Sequence, residues 1–200
     1  MAEHAALLLA AGGSRRLGQP KQLVCIEGMP LIRRLALAAL ATSPCELLVV
    51  LGAEVERCSA ALADLPVRIV IAGDWAAGMG ASLAAGARAA PPVGLLVLGV
   101  DQPALDAAHL QALVECWRAD PEQPVGSSYA GVTGTPAMLP AAWREELMRA
   151  HGDQGARAQL RNCPGCRVVA APELAFDIDH PGDLARVPGA SALRPDPGIP

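Results

Sequence analysis

The chain is 200 residues long, 52% hydrophobic but only 2% aromatic, and carries a formal net charge of −4 at pH 7. That length supports one sizeable core rather than two, and a core short of aromatics must be built from Ala, Leu and Val, which suits helices packed on a buried parallel sheet. The mildly acidic balance gives no general field for nucleic acid or an anionic membrane, so any anion must be held by a local site.

The first apolar run, residues 5–11, follows Glu3 and precedes Arg15 and Arg16, the reverse of a secretory signal's charge order, and is read as retained structure. No stretch approaches the roughly 20 apolar residues that span a bilayer, and a cytoplasmic location is expected. Unalternating runs rich in Leu, Val and Ile at residues 5–10, 46–51, 67–71 and 95–100 predict strands buried on both faces. Helical patterns at 30–41, 54–65, 81–90 and 104–119 lie between them. This alternation predicts an α/β class, a single doubly wound, mostly parallel sheet with helices on both faces.

Further along, shorter strands are expected at 124–129 and 134–139, helices at 141–150 and 154–161, extended segments at 167–170 and 174–178, and a proline-started helix at 181–187. Residues 188–200, rich in Pro, Gly, Ala and Ser, are expected to be a disordered tail after a domain of residues 1–187. The six cysteines read as small apolar residues in a reduced protein. Cys163 and Cys166 have redox or metal spacing, but no second pair or matching histidines follow, and a turn at Pro164 and Gly165 is the plainer account.

Every basic residue but one is arginine, and the single lysine, Lys21, ends a glycine-rich stretch that leaves the first strand. Ligands sit outside the carboxyl ends of strands in open α/β sheets, and Gly12 and Gly13 occupy such an end. Glycines let backbone N–H groups turn toward a phosphate, Ser14 and Arg16 add donors, and Lys21 can reach terminal phosphates. Two familiar phosphate loops fail here. Gln19 stands where a Walker A loop needs lysine, and the glycines do not supply the G-x-G-x-x-G of a dinucleotide fingerprint.

What does fit is A-A-G-x-S-x-R-x-G-x-x-K over residues 10–21, followed by Gly78-Met79-Gly80-Ala81-Ser82-Leu83, Gly99-Val100-Asp101-Gln102-Pro103, Gly134-Thr135-Pro136, Gly152-Asp153-Gln154-Gly155-Ala156-Arg157 and a segment opening at Asp177. In that order these motifs resemble the molybdenum cofactor cytidylyltransferase-like nucleotidyltransferases, whose domain is similar to that of molybdenum cofactor guanylyltransferase. The resemblance implies a Rossmann-like fold of the nucleotide-diphospho-sugar transferase type. It implies CTP and molybdenum cofactor (molybdopterin) as substrates, Mg²⁺ as cofactor and a hydroxylase as client protein, with neither nucleic acid nor membrane as partner.

Nucleotide binding is expected from Ala10, Ala11, Gly12, Gly13, Ser14, Arg16, Lys21, Gly80 and Ser82. Catalysis is assigned to Arg16, Lys21 and Asp101. Asp101 ends a strand at the edge where the loop emerges, which suits a hard oxygen ligand, although aspartate there also caps helices. The resemblance places a second metal-facing acid at Asp179, with Asp177 as competitor on the same strand face. Thr135 and Arg157 are expected at the acceptor. Thr135 stands where the pattern often has His, a departure that bears on acceptor identity, whereas Ala11 resembles cytidylyl-using members. Rival readings are a guanylyl or sugar-phosphate nucleotidyltransferase, a non-catalytic cofactor carrier and, least favoured, a dinucleotide-dependent oxidoreductase.

Overall fold

The computed structural model describes residues 2–152 and 155–191. In chain order it contains β1 (His4–Leu9), β2 (Cys25–Ile26), β3 (Met29–Pro30), α1 (Leu31–Leu40), β4 (Leu47–Leu51), α2 (Val55–Ala60), β5 (Arg68–Ile71), α3 (Met79–Ala89), β6 (Gly94–Gly99) and α4 (Ala107–Arg118). There follow β7 (Val125–Tyr129), β8 (Val132–Leu139), α5 (Arg144–Met148), α6 (Ala156–Arg161), β9 (Arg167–Ala170) and β10 (Ala190–Ser191). Seven strands form one sheet in the order β5-β4-β1-β6-β8-β7-β9. Its β5-β4-β1-β6 half is wholly parallel, and β8 runs antiparallel between β6 and β7.

All five residues of β4 are buried, as an unalternating run in a sheet covered on both faces must be. One face packs Leu8, Val49 and Leu51 against Leu31 and Leu35 of α1. The other packs Leu7, Leu48 and Val50 against Leu83 and Ala87 of α3. Fully burying each such side chain contributes roughly 1.5–3 kcal/mol. Small residues set the spacing, since a Cβ at Gly86 of α3 would lie 2.4 Å from Leu7 Cδ1.

Successive connections leave β1 toward β4 on one side and β6 on the other, so the sheet's switch point lies between β1 and β6. Leu9 is in register with Gly99, which puts the glycine loop and Asp101 side by side at one sheet edge. The antiparallel β7–β8 hairpin turns through Ala130 and Gly131, both at positive φ (48° and 75°), the conformation of a two-residue primed turn.

Several expected elements take other forms. The helix foreseen over 54–65 stops at Ala60, and the chain tightens through i→i+3 bonds such as Leu62 N–H to Ser59 O before Pro66, which disfavours helix in the residue preceding it. The one foreseen over 141–150 divides into a 3₁₀ turn, Ala141–Trp143, and α5. Part of the extended segment expected at 174–178 is instead a 3₁₀ turn, Pro172–Ala175, opened by its proline. The small sheet β10-β2-β3 was not foreseen. Its β10 lies within the expected tail and pairs antiparallel with Cys25 and Ile26; residues 192–200 lie outside the described residues. At Cys163 and Cys166 the chain forms the expected turn, closed by Cys166 N–H to Cys163 O at 3.1 Å, with both thiols free. Among the described residues no helix is long and apolar enough to cross a membrane.

Two histidines are sealed into the core. His4 Nε2 meets Thr42 Oγ1 at 2.9 Å, and because that hydroxyl donates to Ala39 O at 2.7 Å, the ring nitrogen must be the donor. Likewise His109 Nε2 meets Ser127 Oγ at 2.8 Å while Ser127 donates to Pro136 O, so this Ser–His pair is a structural strut rather than an activated nucleophile. Burial, then the Arg118 charge, lowers the His4 pKa to about 4. The unfolded chain therefore binds the proton first, and stability present above about pH 6.5 is lost as pH falls toward 4, by roughly 3 kcal/mol. His4→Gln is expected to flatten that part of the urea-midpoint profile between pH 7 and 4; a profile of unchanged slope would refute this origin.

Candidate active site

The loop after β1 is shaped by a buried amide. Gln22, fully buried, donates from Nε2 to Ala10 O at 2.8 Å and Gly12 O at 2.7 Å. With those carbonyls turned inward, the N–H groups of Gly12, Gly13 and Ser14 donate to no acceptor among the described residues. Ser14 adopts a left-handed conformation (φ 48°), and its hydroxyl accepts the Lys21 N–H at 3.0 Å while facing Gln22 Oε1 at 3.5 Å. The loop is thus braced from behind, leaving a nest of free donors suited to phosphate oxygens.

These donors open into a cavity of about 670 Å³. Of the expected site residues, Ala11, Gly12, Gly13, Ser14, Arg16, Lys21, Ser82, Asp101, Thr135, Arg157 and Asp179 all line it. Ala10 and Gly80 do not. Ala10 serves through its carbonyl, bonded to Gln22, whereas Gly80 is buried behind the wall, its N–H on Gly152 O at 2.7 Å and its Cα against the His151 backbone. The stretches of sequence that reach this one cavity run from residue 9 to residue 179.

Asp179 joins the two loop cations. Lys21 Nζ lies 2.9 Å from Oδ1 and Arg16 Nη2 3.0 Å from Oδ2. The Lys21 hydrogen bond, then the charges of Lys21 and Arg16, hold the Asp179 pKa below the usual carboxylate value. Asp177 has no such ion pair, and the more distant charges of Lys21 and Arg157 offset its surroundings only in part. Enclosure by the cavity wall, then the charges of Asp101 and Asp179, push its pKa up to about 6. Asp101 is fixed by its own carbonyl, which accepts the Ile178 N–H at 2.9 Å and ties the β6 edge to the acidic segment.

Such a cluster is short of positive charge, and a divalent cation would relieve it. Among the described residues no three His, Cys, Asp or Glu side chains converge in a ready metal cage. Mg²⁺ fits that arrangement, because it commonly takes one or two carboxylates and completes its shell with water and substrate phosphates.

Besides Gln22, the lining includes Trp75, Met79 and Tyr129, which were not among the expected site residues. Trp75 packs on the loop, so that a Cβ at Gly13 would lie 3.1 Å and one at Gly52 2.3 Å from its ring. It offers a nucleobase an aromatic face, and its presence in so aromatic-poor a chain was the available signal. Met79, half exposed, places a thioether at the mouth beside Gly155. Tyr129, the sole tyrosine, has its hydroxyl on Thr135 O and Arg157.

Free loop donors, two paired cations and a pool of carboxylates at the switch point of this sheet define a nucleotidyltransferase. The profile of the MobA-like NTP transferase domain matches residues 6–168, and the chain belongs to that family. Nicotine blue oxidoreductase of Paenarthrobacter nicotinovorans is 34% identical over 168 residues, 79% of this chain and 81% of that protein. A nucleotidyl transferase from Methanothermobacter thermautotroptrophicus is similar at a TM-score of 0.78 and 26% identity, covering 92% of this chain and 95% of that one. Rv0371C from Mycobacterium tuberculosis H37Rv, solved as a complex with manganese, gives a TM-score of 0.75 and 27% identity over 92% and 97% of the two chains.

Gln22→Leu keeps the size of the side chain and removes the amide, leaving the buried Ala10 carbonyl and the part-buried Gly12 carbonyl without their partner. A loss of about 2 kcal/mol in unfolding free energy is expected, together with weaker nucleotide binding. Denaturant titration and nucleotide calorimetry on the same variant check both; unchanged nucleotide affinity would show that the brace does not shape the donors.

Proposed function

We propose that the protein transfers CMP from CTP to the terminal phosphate of molybdenum cofactor, releasing pyrophosphate, with Mg²⁺ held by Asp101 and Asp179. The observation that carries the nucleotide half is the set of free N–H donors at Gly12, Gly13 and Ser14 beside Lys21 and Arg16. An acceptor phosphate oxygen attacks the α-phosphorus in line, the bond from that phosphorus to the bridging oxygen breaks, and pyrophosphate departs with the electron pair. A phosphate monoester is already nucleophilic, so no covalent enzyme intermediate is required and positioning supplies most of the rate.

The resting ion pairs suggest how the site accommodates so much charge. An entering triphosphate competes with Asp179 for Lys21 and Arg16, and their transfer to phosphate oxygens frees the Asp179 carboxylate. Mg²⁺, when bound, would neutralise charge on the phosphates and draw them to Asp101 and Asp179. Lys21 and Arg16 then stabilise the pyrophosphate as it forms. Thr135 and Arg157, on the opposite wall, meet the acceptor. CTP is supported by Ala10-Ala11-Gly12, molybdenum cofactor by the order of motifs along the chain, and a divalent cation by the manganese complex of the mycobacterial relative. The product would be destined for a hydroxylase client.

The name of the Paenarthrobacter relative supports a second reading, a redox enzyme using a nicotinamide dinucleotide. Against it stands the missing G-x-G-x-x-G. Pyrophosphate release measured with Mg²⁺, each NTP in turn and molybdenum cofactor as acceptor is expected to occur with CTP and to vanish in Asp101→Ala. Release with GTP or with a sugar phosphate would move the assignment to those rivals. Oxidation of NADH or NADPH by the protein, with no pyrophosphate under any condition, would replace it by the redox reading. Cofactor delivery that survives Asp101→Ala with no pyrophosphate released would make the protein a carrier.

Lys21→Arg retains charge but substitutes a planar fork for a compact ammonium in a side chain only 15% exposed. Its kcat/KM is expected to fall at least about tenfold. Wild-type turnover would return the lone lysine to coincidence.

A further inference from the structure

The acceptor wall contains a relay that the proposed reaction does not yet use. Tyr129 is buried, and its hydroxyl donates to Thr135 O at 2.8 Å. Its only proton is thereby committed, so toward Arg157 the oxygen can only accept, which it does from Nη2 at 3.1 Å. The geometry is fixed by the primed turn at Ala130 and Gly131, which folds Tyr129 back beside the strand carrying Thr135.

Gly134 completes the slot. A Cβ there would lie 2.8 Å from the Tyr129 hydroxyl and 3.1 Å from Arg157 Nε, so the guanidinium lies across the bare backbone of β8. Among the described residues Arg157 has no carboxylate within ion-pair distance, unlike Arg16 and Lys21. A neutral acceptor therefore orients it without itself adding a counter-charge, and although Asp177 lies near enough to feel the guanidinium, the cation makes no direct ion pair and lines the cavity wall.

We propose that Tyr129 is a positioning residue for the acceptor's anionic group: its Thr135-committed hydroxyl sets the Arg157 guanidinium, across Gly134, in the orientation that receives a phosphate monoester. This rests on the reading that Arg157 meets the acceptor. It makes Tyr129 specific to one substrate, since the nucleotide's phosphates are held by the loop on the other wall. It also gives the Thr135 backbone a function that is independent of its side chain.

The test combines Tyr129→Phe, Arg157→Gln and the double variant, with CTP and molybdenum cofactor varied separately. Tyr129→Phe is expected to raise the acceptor KM about tenfold and leave the CTP KM unchanged. The double variant is expected to be no worse than Arg157→Gln alone, because the hydroxyl acts through the guanidinium. A wild-type acceptor KM in Tyr129→Phe, beside a raised one in Arg157→Gln, overturns the proposal and leaves the acceptor reading intact. Multiplying single effects in the double variant overturns it too. An acceptor KM unmoved by Arg157→Gln overturns the acceptor reading itself. Side-chain ¹⁵N relaxation of Arg157 Nε in the free protein adds a readout that needs no acceptor: the guanidinium is expected to be ordered in the wild type and loosened in Tyr129→Phe, and equal mobility overturns the proposal whatever the substrate. Should Tyr129→Phe unfold, Gly134→Ala displaces the same guanidinium from its other side and is expected to give the same acceptor-specific rise.

Discussion

The site depends on where two backbone carbonyls point. A loop leaving a buried strand has as many acceptors as donors, and it can present donors to an anion only if the acceptors are satisfied elsewhere. Gln22 does this with one amide nitrogen, pairing Ala10 O in the interior and Gly12 O at its margin. The N–H groups of Gly12, Gly13 and Ser14 are left facing the cavity, at the edge where β1 and β6 deliver the loop and Asp101 together. Lys21 is the next residue back along the chain from that brace, so the ammonium's position is inherited from the same anchor.

Charge is handled differently on the two walls. On the loop side Asp179 holds Arg16 and Lys21 in ion pairs whose partners can be exchanged for phosphate. On the β8 side Arg157 is oriented by a phenol, with no carboxylate in ion-pair contact among the described residues. The first wall suits an anion that arrives with several charges and leaves as another anion. The second suits a single phosphate that must be aimed.

Much of this was legible in the sequence. Unalternating runs located β1, β4 and β6, because burial on both faces leaves no polar positions to disguise a strand. The run at 67–71 also marked a strand, but β5 is an edge strand with Arg68 and Ile71 exposed, so the expected burial on both faces does not hold there. The loop and Asp101 could be placed at one edge from their positions at strand ends. Short elements were less legible. β2, β3 and β10 are two-residue strands stabilised by each other, with no periodicity to read. The division of labour between Asp177 and Asp179 was also hidden, since it depends on which carboxylate Lys21 and Arg16 reach across the fold. Gln22, Trp75 and Tyr129 escaped notice because a brace, a wall and a strut carry no spacing rule. Their roles follow from neighbours distant in sequence.

The contact between Lys21 and Asp179 spans 158 residues. On a ribosome the loop emerges well before its counter-charge, so a nascent chain displays the cations long before it has the acid that restrains them. Asp101 appears midway, and its carbonyl cannot be met by Ile178 until the same late segment arrives. The cavity's charge balance is therefore completed only when residues 177–179 have been made, although its most recognisable motif is made long before.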